Sequence, residues 1–196
     1  MKDNATFRLF QAAMLLMTKK ALPTRQCRKV VIQEYRAICR RAKDIGAGNP
    51  WLSCYAMGAW FIAMNRCDGL SADQNYAIVE QGMKHSWMFR TFLGSGDAVI
   101  SRNKFGKPEK WSAAHADHPY ENDWRRTLYP ESGGCALAFD FTECGICKLC
   151  QDEGCFELAH YLCKLDFMMA EIMGLRLERT STLADGGEKC DFRYYQ

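Results

Sequence analysis

The sequence of 196 residues predicts an α+β fold, in which an N-terminal helical region packs with a small antiparallel sheet and a C-terminal helix. Three observations lead to this prediction. Apolar residues recur at helical spacing through residues 1–94, strand-like alternation begins at Cys135, and a glycine-containing turn separates two final strand patterns. Helices followed by antiparallel strands are typical of the α+β class.

The length is that of a single domain, residues 1–196, with a mostly helical part at 1–94 and an α+β part at 95–196 that carries the candidate site. Four helices are predicted in the first part, at residues 7–21, 25–45, 51–64 and 72–94. The third is apolar on nearly all sides, which predicts a buried helix. Ser71 and Gln74 form a capping-box pattern at the start of the fourth.

The second part mixes irregular segments with strands. Residues 94–134 are rich in Gly, Pro, Asp, Asn and His, which predicts irregular structure with one short strand at Ala98–Ser101. The later elements are a strand at 135–143, a short helix or turn at 144–154, a helix at 156–173, and strands at 175–184 and 189–195 joined by an Asp185-Gly186-Gly187 turn. The sheet therefore forms late in the sequence.

Neither a membrane span nor a secretion signal is predicted. The longest apolar stretch, Cys54–Met64, is much shorter than the about 20 residues that cross a bilayer, and the start of the chain lacks the pattern of a signal peptide. We therefore expect a soluble, cytoplasmic protein with no membrane partner. In that compartment the 11 cysteines are expected to be free thiols or thiolates, and seven of them lie between Cys135 and Cys190.

The net charge of +3 hides an uneven distribution. Residues 1–50 carry 11 Lys and Arg against three Asp and Glu, whereas residues 140–196 carry six against 11. The basic segment could contact nucleic acid, but no run of stacking aromatic residues accompanies it. We interpret it as a solvated helix face and expect no nucleic-acid partner. The apolar segment 51–64 is compatible with a homo-oligomer interface.

The densest cysteine pattern is Cys144-x2-Cys147-x2-Cys150-x4-Cys155. Thiolates bind soft metals and the spacing is close to that of a bacterial ferredoxin, so an Fe–S cluster or a zinc site is one interpretation. The last spacing is one residue longer than in ferredoxins, and Phe156 stands where they have proline. The alternative is a short helix in which Cys147, Cys150 and Cys155 are small packed residues.

A second group of candidates lies on the helix predicted at 156–173. At about 100° per residue, Cys163 and Asp166 stand about 60° apart on this helix, and Glu157 lies on the same helix, about two turns earlier. The thiol and the carboxylate could border one pocket, or Cys163 could simply pack while Asp166 pairs with an arginine.

The third group lies in the two terminal strands. Alternation places Cys190 on the same face as Phe192, which is expected to be the inward face. Arg179 and Arg193 are suited to hold a substrate carboxylate, because a guanidinium binds it through two hydrogen bonds. They are equally suited to surface salt bridges.

Several short motifs follow one another in a specific order along the chain. They are Asn122-Asp123-Trp124, Phe139-Asp140-Phe141-Thr142-Glu143-Cys144, Glu157-Leu158, Cys163-Lys164-Leu165-Asp166, Arg179 to Gly186, and Cys190-Asp191-Phe192-Arg193. Together this ordered set resembles the L-2-amino-thiazoline-4-carboxylic acid hydrolase family. The resemblance is strong from about residue 120 to the end and weak before it; Cys147, Cys150 and Cys155 are not part of the family pattern.

The resemblance implies a hydrolase that opens a small cyclic thiazoline or amidine carboxylic acid to an N-carbamoyl-cysteine-like product. Water adds at the ring carbon between sulfur and nitrogen, and the C–S bond opens. The implied roles are a nucleophile from Cys144, Cys163 or Cys190, acid and base from Asp166 and Asp191, and substrate binding by Arg179, Thr182 and Arg193. Cys144, Glu157, Cys163 and Cys190 could instead hold a divalent metal, zinc or manganese, that activates water.

Two other functions are compatible with the same residues. One is a non-catalytic module that binds a small molecule and uses the cysteines as a structural metal site. The other is a redox protein with an Fe–S cluster on the cysteine pattern of residues 144–155.

Overall fold

The structure, a computed structural model, describes residues 5–67, 69–117, 119–129 and 134–196. Its helices are α1 (Ala5–Thr18), α2 (Arg25–Arg41), α3 (Leu52–Asn65), α4 (Ala72–Lys84), α5 (Trp87–Leu93), α6 (Gly96–Phe105), α7 (Lys107–Ala114), α8 (Gly145–Asp152) and α9 (Leu158–Ile172). Its strands are β1 (Arg125–Tyr129), β2 (Leu137–Glu143), β3 (Arg176–Glu178) and β4 (Cys190–Tyr195), with a 3-10 turn at Leu183–Asp185. The predicted α+β class is confirmed.

The helical part packs around α3. Nearly every residue of this helix is buried, as its all-round apolar sequence predicts. It contacts α1, α2, α4, α8 and α9, so its apolar surface is covered within one chain. Homo-oligomer formation stays a prediction.

Capping side chains set several helix boundaries. Thr24 Oγ1 accepts the Cys27 N–H at 2.9 Å and starts α2. The capping box of Ser71 and Gln74 at the start of α4 is confirmed. The prediction of one helix over 72–94 is wrong, because Ser86 Oγ accepts the Phe89 N–H and starts a separate helix, α5.

The segment predicted to be irregular contains two helices and a strand. The strand predicted at Ala98–Ser101 is wrong, since these residues lie in α6, where Ser95 Oγ accepts the Ala98 N–H at 3.4 Å. Helix α7 follows with Pro108 in its first turn, a position that needs no N–H donor. Glycine and proline here mark helix ends instead of loops.

The four strands form one antiparallel sheet in the order β1-β2-β4-β3. Phe139 pairs with Phe192, and Phe141 with Cys190. All four side chains are buried, which confirms the inward position predicted for Cys190. Helices α9 and α6 contact the sheet, and a space remains between α9, α3 and its inner face.

The last two strands differ from the prediction in length. The strand predicted at 175–184 is shortened to β3, and the connection to β4 is longer than a tight turn. Asp191 accounts for this difference, because its Oδ1 accepts the N–H groups of Thr180 at 2.9 Å and Ser181 at 2.7 Å. These two N–H groups therefore do not extend the backbone hydrogen bonds between β3 and β4.

Cys27 and Cys67 form a disulfide, so the expectation of free thiols is wrong for this pair. The remaining cysteines are thiols. Within the described ranges, no helix has both the length and the apolar character that a membrane crossing requires. The cytoplasmic location stays a prediction.

Candidate active site

A central cavity of about 200 Å³ lies between α3, α9 and the inner face of the sheet. Five residues singled out in the sequence line it, namely Cys144, Cys163, Asp166, Arg179 and Cys190. Much of the remaining wall is aromatic or methionine, which makes the space around these groups largely apolar. The fold thus places thiols, a carboxylate and a guanidinium from separate elements beside one small space.

Cys144 precedes the first residue of α8. The Cys147 thiol and the N–H groups of Cys147 and Ile146 lower the pKa of the Cys144 thiol, although burial and the Asp166 carboxylate oppose this. No side-chain capping hydrogen bond forms at Cys144, so the N–H groups act on the sulfur mainly as helix-terminal dipoles. This environment favours the thiolate.

The other cysteines of the cavity stay protonated. Burial raises the pKa of Cys54 to about 12 and that of Cys190 to about 11, and it also raises the pKa of Cys163. Cys190 Sγ accepts the Leu183 N–H at 3.2 Å, which ties β4 to the 3-10 turn. Among the four cysteines on the described cavity walls, Cys144 is therefore the best nucleophile.

Asp166 and Arg179 form an ion pair on the cavity wall. Arg179 Nη1 donates to Asp166 Oδ2 at 2.6 Å, and Nη2 donates to the Cys163 carbonyl at 2.8 Å. The Arg179 side chain is only 3% exposed and lies against the Phe167 and Phe192 rings, 5.0 Å from each centroid. Within the described part of the chain its Nε has no hydrogen-bond partner.

The surroundings of this ion pair raise the pKa of both residues. Burial raises the pKa of Asp166, and Arg179 offsets this only in part. Burial also disfavours the guanidinium charge, but Asp166 and Cys163 outweigh it and raise the pKa of Arg179. The site therefore holds a permanent cation beside a carboxyl that gains protons more readily than an exposed aspartate.

A polar cavity of about 480 Å³ lies on the other side of Cys163 and Arg179, which line both spaces. Thr182 also lines it, and this threonine shapes the 3-10 turn. Its Oγ1 donates to Asp185 Oδ2 at 2.6 Å and accepts the Asp185 N–H at 3.1 Å. His160 Nδ1 lies 2.5 Å from Asp185 Oδ1 at the rim.

Three of the predicted site residues lie outside these cavities. Arg193 is on the outer face of the sheet, where it donates to Asp140 Oδ1 at 2.9 Å. Asp191 holds the loop before β4; burial opposes its ionisation, but the hydrogen bonds from this loop outweigh burial and lower its pKa. Glu157 is exposed before α9 and acts electrostatically on Cys155.

The cysteine-rich segment resolves into two thiol pairs. The side chains of Cys144 and Cys147 interact, as do those of Cys150 and Cys155. Across the described ranges, no three His, Cys, Asp or Glu side chains are arranged to hold a metal ion. The donor set predicted for zinc or manganese does not fit this arrangement, because Glu157 lies beside Cys155, away from the central cavity.

The Asn122-Asp123-Trp124 motif anchors the cavity wall. Asp123 is 1% exposed, and it accepts hydrogen bonds at 2.8 Å from Asn49 Nδ2, Trp111 Nε1 and the Trp124 N–H. These bonds connect the start of α3, α7 and β1. They fix Trp124, whose ring lines the cavity.

Sequence reasoning missed several polar residues of the cavity, among them Cys54 and Arg102. Cys54 lies on α3, whose apolar sequence predicts only core packing. Arg102 lies in the segment that was predicted to be irregular. No local signal distinguishes Cys54 from the other buried residues of its helix. Recognition of α6 from Ser95 as a helix cap would have drawn attention to Arg102.

The fold and the cavity define an α+β protein in which a cysteine with a lowered pKa and an aspartate–arginine ion pair line one small, largely apolar cavity. The family model of the L-2-amino-thiazoline-4-carboxylic acid hydrolases matches residues 52–194, and the chain belongs to this family. The match runs from α3 to β4 and so includes nearly all of the cavity walls. Comparisons with curated proteins and with solved structures gave no match.

Proposed function

We propose that this protein hydrolyses a small cyclic thiazoline or amidine carboxylic acid, of the L-2-amino-thiazoline-4-carboxylate kind, to an N-carbamoyl-cysteine-like product. Family membership supports the hydrolase class. The observation that carries the proposal is the central cavity, where Cys144, with its lowered pKa, lies with Asp166 and Arg179. Its volume is below the roughly 300–1,000 Å³ of sites for drug-sized ligands, which suits a single small ring.

In the first step, the Cys144 thiolate attacks C2, the ring carbon between sulfur and nitrogen. The C=N electron pair moves to the ring nitrogen, which takes a proton, and the C2–S bond of the ring then breaks. The products are an isothiourea on Cys144 and a thiolate on the former ring sulfur. That thiolate requires a proton.

Asp166 is the best candidate to supply this proton. A free alkyl thiol has a pKa of about 8.5, whereas burial raises the pKa of Cys190 to about 11, so transfer from Cys190 would be uphill. A carboxyl is ordinarily a stronger acid than a thiol. Because burial raises the pKa of Asp166, a larger fraction of it carries the proton.

In the second step, the Asp166 carboxylate accepts a proton from water, whose oxygen attacks the isothiourea carbon. Collapse of the adduct breaks the bond to Cys144 and restores its thiolate. One substrate and one water give one N-carbamoyl-cysteine. Arg179, which lines both cavities, and Thr182, which lines the polar cavity, are the proposed partners of the substrate carboxylate.

The proposal is tested by hydrolysis of L-2-amino-thiazoline-4-carboxylate in oxygen-18 water, with the product followed by mass spectrometry. We expect the label in the carbamoyl group and a loss of kcat/KM of about 10³-fold or more in Cys144→Ala. Cys135→Ser, which changes a thiol outside the cavities, is the matched control and should keep full activity. Full activity of Cys144→Ala, or no turnover by the unaltered protein, would contradict the proposal.

A further inference from the structure

The central cavity continues into a larger, apolar cavity of about 690 Å³. The residues that line both spaces are Trp51, Cys54, Met57, Leu93, Arg102, Asn103 and Met169, whereas Lys107 lines only the larger one. Among the described residues, none lines both this apolar cavity and the polar cavity. The central cavity therefore has two different extensions, one polar and one apolar.

The apolar cavity is much larger than a bare thiazoline ring requires. Its own walls include Phe10, Phe89 and Phe92, and Phe92 is 59% exposed at its edge. Aromatic side chains that surround an open space next to a reactive cavity are typical of ligand contacts. The occupant should therefore be apolar along most of its length.

Two cations also line the apolar cavity. Arg102 and Lys107 both contribute to its wall, and Lys107 Nζ lies 3.9 Å from the point that a Cβ at Gly48 would occupy. In the described part of the chain, neither side chain forms an ion pair, while the nearby Glu109 is paired with Arg126 at 3.2 Å. These charges favour an anionic group on the occupant.

We propose that the substrates of this protein carry, at C2 of the thiazoline ring, an apolar substituent that occupies the apolar cavity and ends in an anionic group near Arg102 and Lys107. This inference rests on the proposed function, because it uses the same nucleophile and the same ring cleavage, and it goes beyond that function by placing an alkyl group at C2 where L-2-amino-thiazoline-4-carboxylate has its amino group. The ring carboxylate is attached at C4, so it can reach Arg179 and the polar cavity while the C2 substituent extends into the other space.

The same bond changes serve such a substrate. Cys144 Sγ attacks C2, the ring C–S bond breaks, and a thioimidate forms with release of the ring sulfur as a thiol. Water then attacks the thioimidate carbon and expels the Cys144 thiolate. One 2-alkylthiazoline-4-carboxylate and one water give one N-acyl-cysteine, and no oxidant or reductant is required.

The test compares the 2-methyl, 2-hexyl and 2-(5-carboxypentyl) thiazoline-4-carboxylates, whose C2 carbons have the same intrinsic reactivity. Dissociation constants are measured by calorimetry on Cys144→Ala, and kcat/KM on the unaltered protein. Burial of the added methylenes should strengthen binding and raise kcat/KM about tenfold or more for 2-hexyl over 2-methyl. At low salt, the 2-(5-carboxypentyl) compound should bind about threefold or more tighter than the 2-hexyl compound, because of its terminal carboxylate.

Two variants with matched controls assign the effects to the apolar cavity. Phe92→Ala should reduce the advantage of 2-hexyl over 2-methyl, whereas Phe105→Ala, which changes another exposed phenylalanine outside these cavities, should not. Lys107→Gln should remove the advantage of the terminal carboxylate, and Lys104→Gln should leave it unchanged. Equal effects of a variant and its control would overturn the inference.

The results separate this inference from the proposed function. Equal binding and turnover of 2-methyl and 2-hexyl would overturn the inference and leave thiazoline hydrolysis intact. Tighter binding of 2-hexyl without turnover of any thiazoline would support the apolar site and overturn the proposed hydrolysis.

Discussion

The two faces of the sheet use the same residue types in different ways. On the outer face, Asp140 is buried and both of its carboxylate oxygens are occupied. Its donors are Tyr129 Oη at 2.9 Å, Lys189 Nζ at 2.6 Å and Arg193 Nη1 at 2.9 Å. On the inner side, Arg179 binds Asp166 but keeps a buried Nε with no partner in the described chain. A saturated ion pair stabilises the strands, whereas an unsaturated one beside thiols can bind and react.

The largest effect should come from the inner pair. Asp166→Asn keeps an oxygen for the Arg179 guanidinium but cannot exchange a proton, so we expect kcat to fall about 10²- to 10⁴-fold. The isothiourea on Cys144 should accumulate, because a thiolate can leave unprotonated and take its proton from water, whereas hydrolysis of the isothiourea needs the base. Intact-protein mass spectrometry during turnover measures this adduct, and thermal unfolding checks the fold. Unchanged kcat would remove Asp166 from the mechanism.

The outer face should respond in stability instead. Asp140→Ala leaves Lys189 and Arg193 without their carboxylate, and we expect the free energy of unfolding to fall by about 3 kcal/mol. Urea titration measures this change, and kcat per folded molecule should stay near that of the unaltered protein. A large loss of kcat with unchanged stability would reverse the comparison between the two faces.

The pH dependence of stability follows from the same carboxylate. Burial opposes ionisation of Asp140, but Lys189, Arg193 and Tyr129 outweigh it and lower its pKa. Its contribution to stability is therefore complete above the unfolded pKa of about 3.9 and is lost as the pH falls through the lower folded value. Urea titrations from pH 6 to pH 3 should show this loss, and Asp140→Asn should show less of it.

The cavity thiols should differ in reactivity. At pH 7 we expect iodoacetamide to modify Cys144 at least about tenfold faster than Cys54 or Cys190, because a thiolate is the reactive form. Peptide mapping after short exposures measures the three rates. Faster modification of Cys190 would indicate that access, and not the pKa, decides reactivity.

The smallest effect should come from Arg193. Arg193→Gln should change kcat/KM by less than about threefold, because the guanidinium lies on the face of the sheet away from the cavity. An equivalent Arg179→Gln change should raise KM for a substrate carboxylate. Steady-state kinetics on both variants, with the same substrate, distinguishes the two arginines.

Strand alternation alone predicts which residues of β4 face the site. It placed Cys190 and Phe192 inward, and the same period places Asp191 and Arg193 outward. The family resemblance nevertheless includes these two outward residues among the site candidates. Helical spacing likewise placed Cys163 and Asp166 together, and the structure has both on the cavity wall.

Other parts of the site depend on tertiary contacts that the sequence does not reveal. The lowered pKa of Cys144 requires the Cys147 thiol and the start of α8 to lie against its sulfur. Cys54 reaches the same cavity only because α3 runs through the centre of the helical part. The helices at 96–105 and 107–114 were missed because the composition of this segment resembles that of a loop, while its caps are single residues.

Gly145 packs closely against Asn122 and Trp124, and this packing affects the pKa of the neighbouring Cys144 thiol. A Cβ at Gly145 would lie 2.5 Å from the Asn122 carbonyl oxygen and 2.6 Å from the Trp124 ring. Any larger residue would therefore push the first turn of α8 away from this segment and change the dipoles that face Cys144. The proton affinity of the proposed nucleophile is thus set partly by a hydrogen atom that fits where a methyl group cannot.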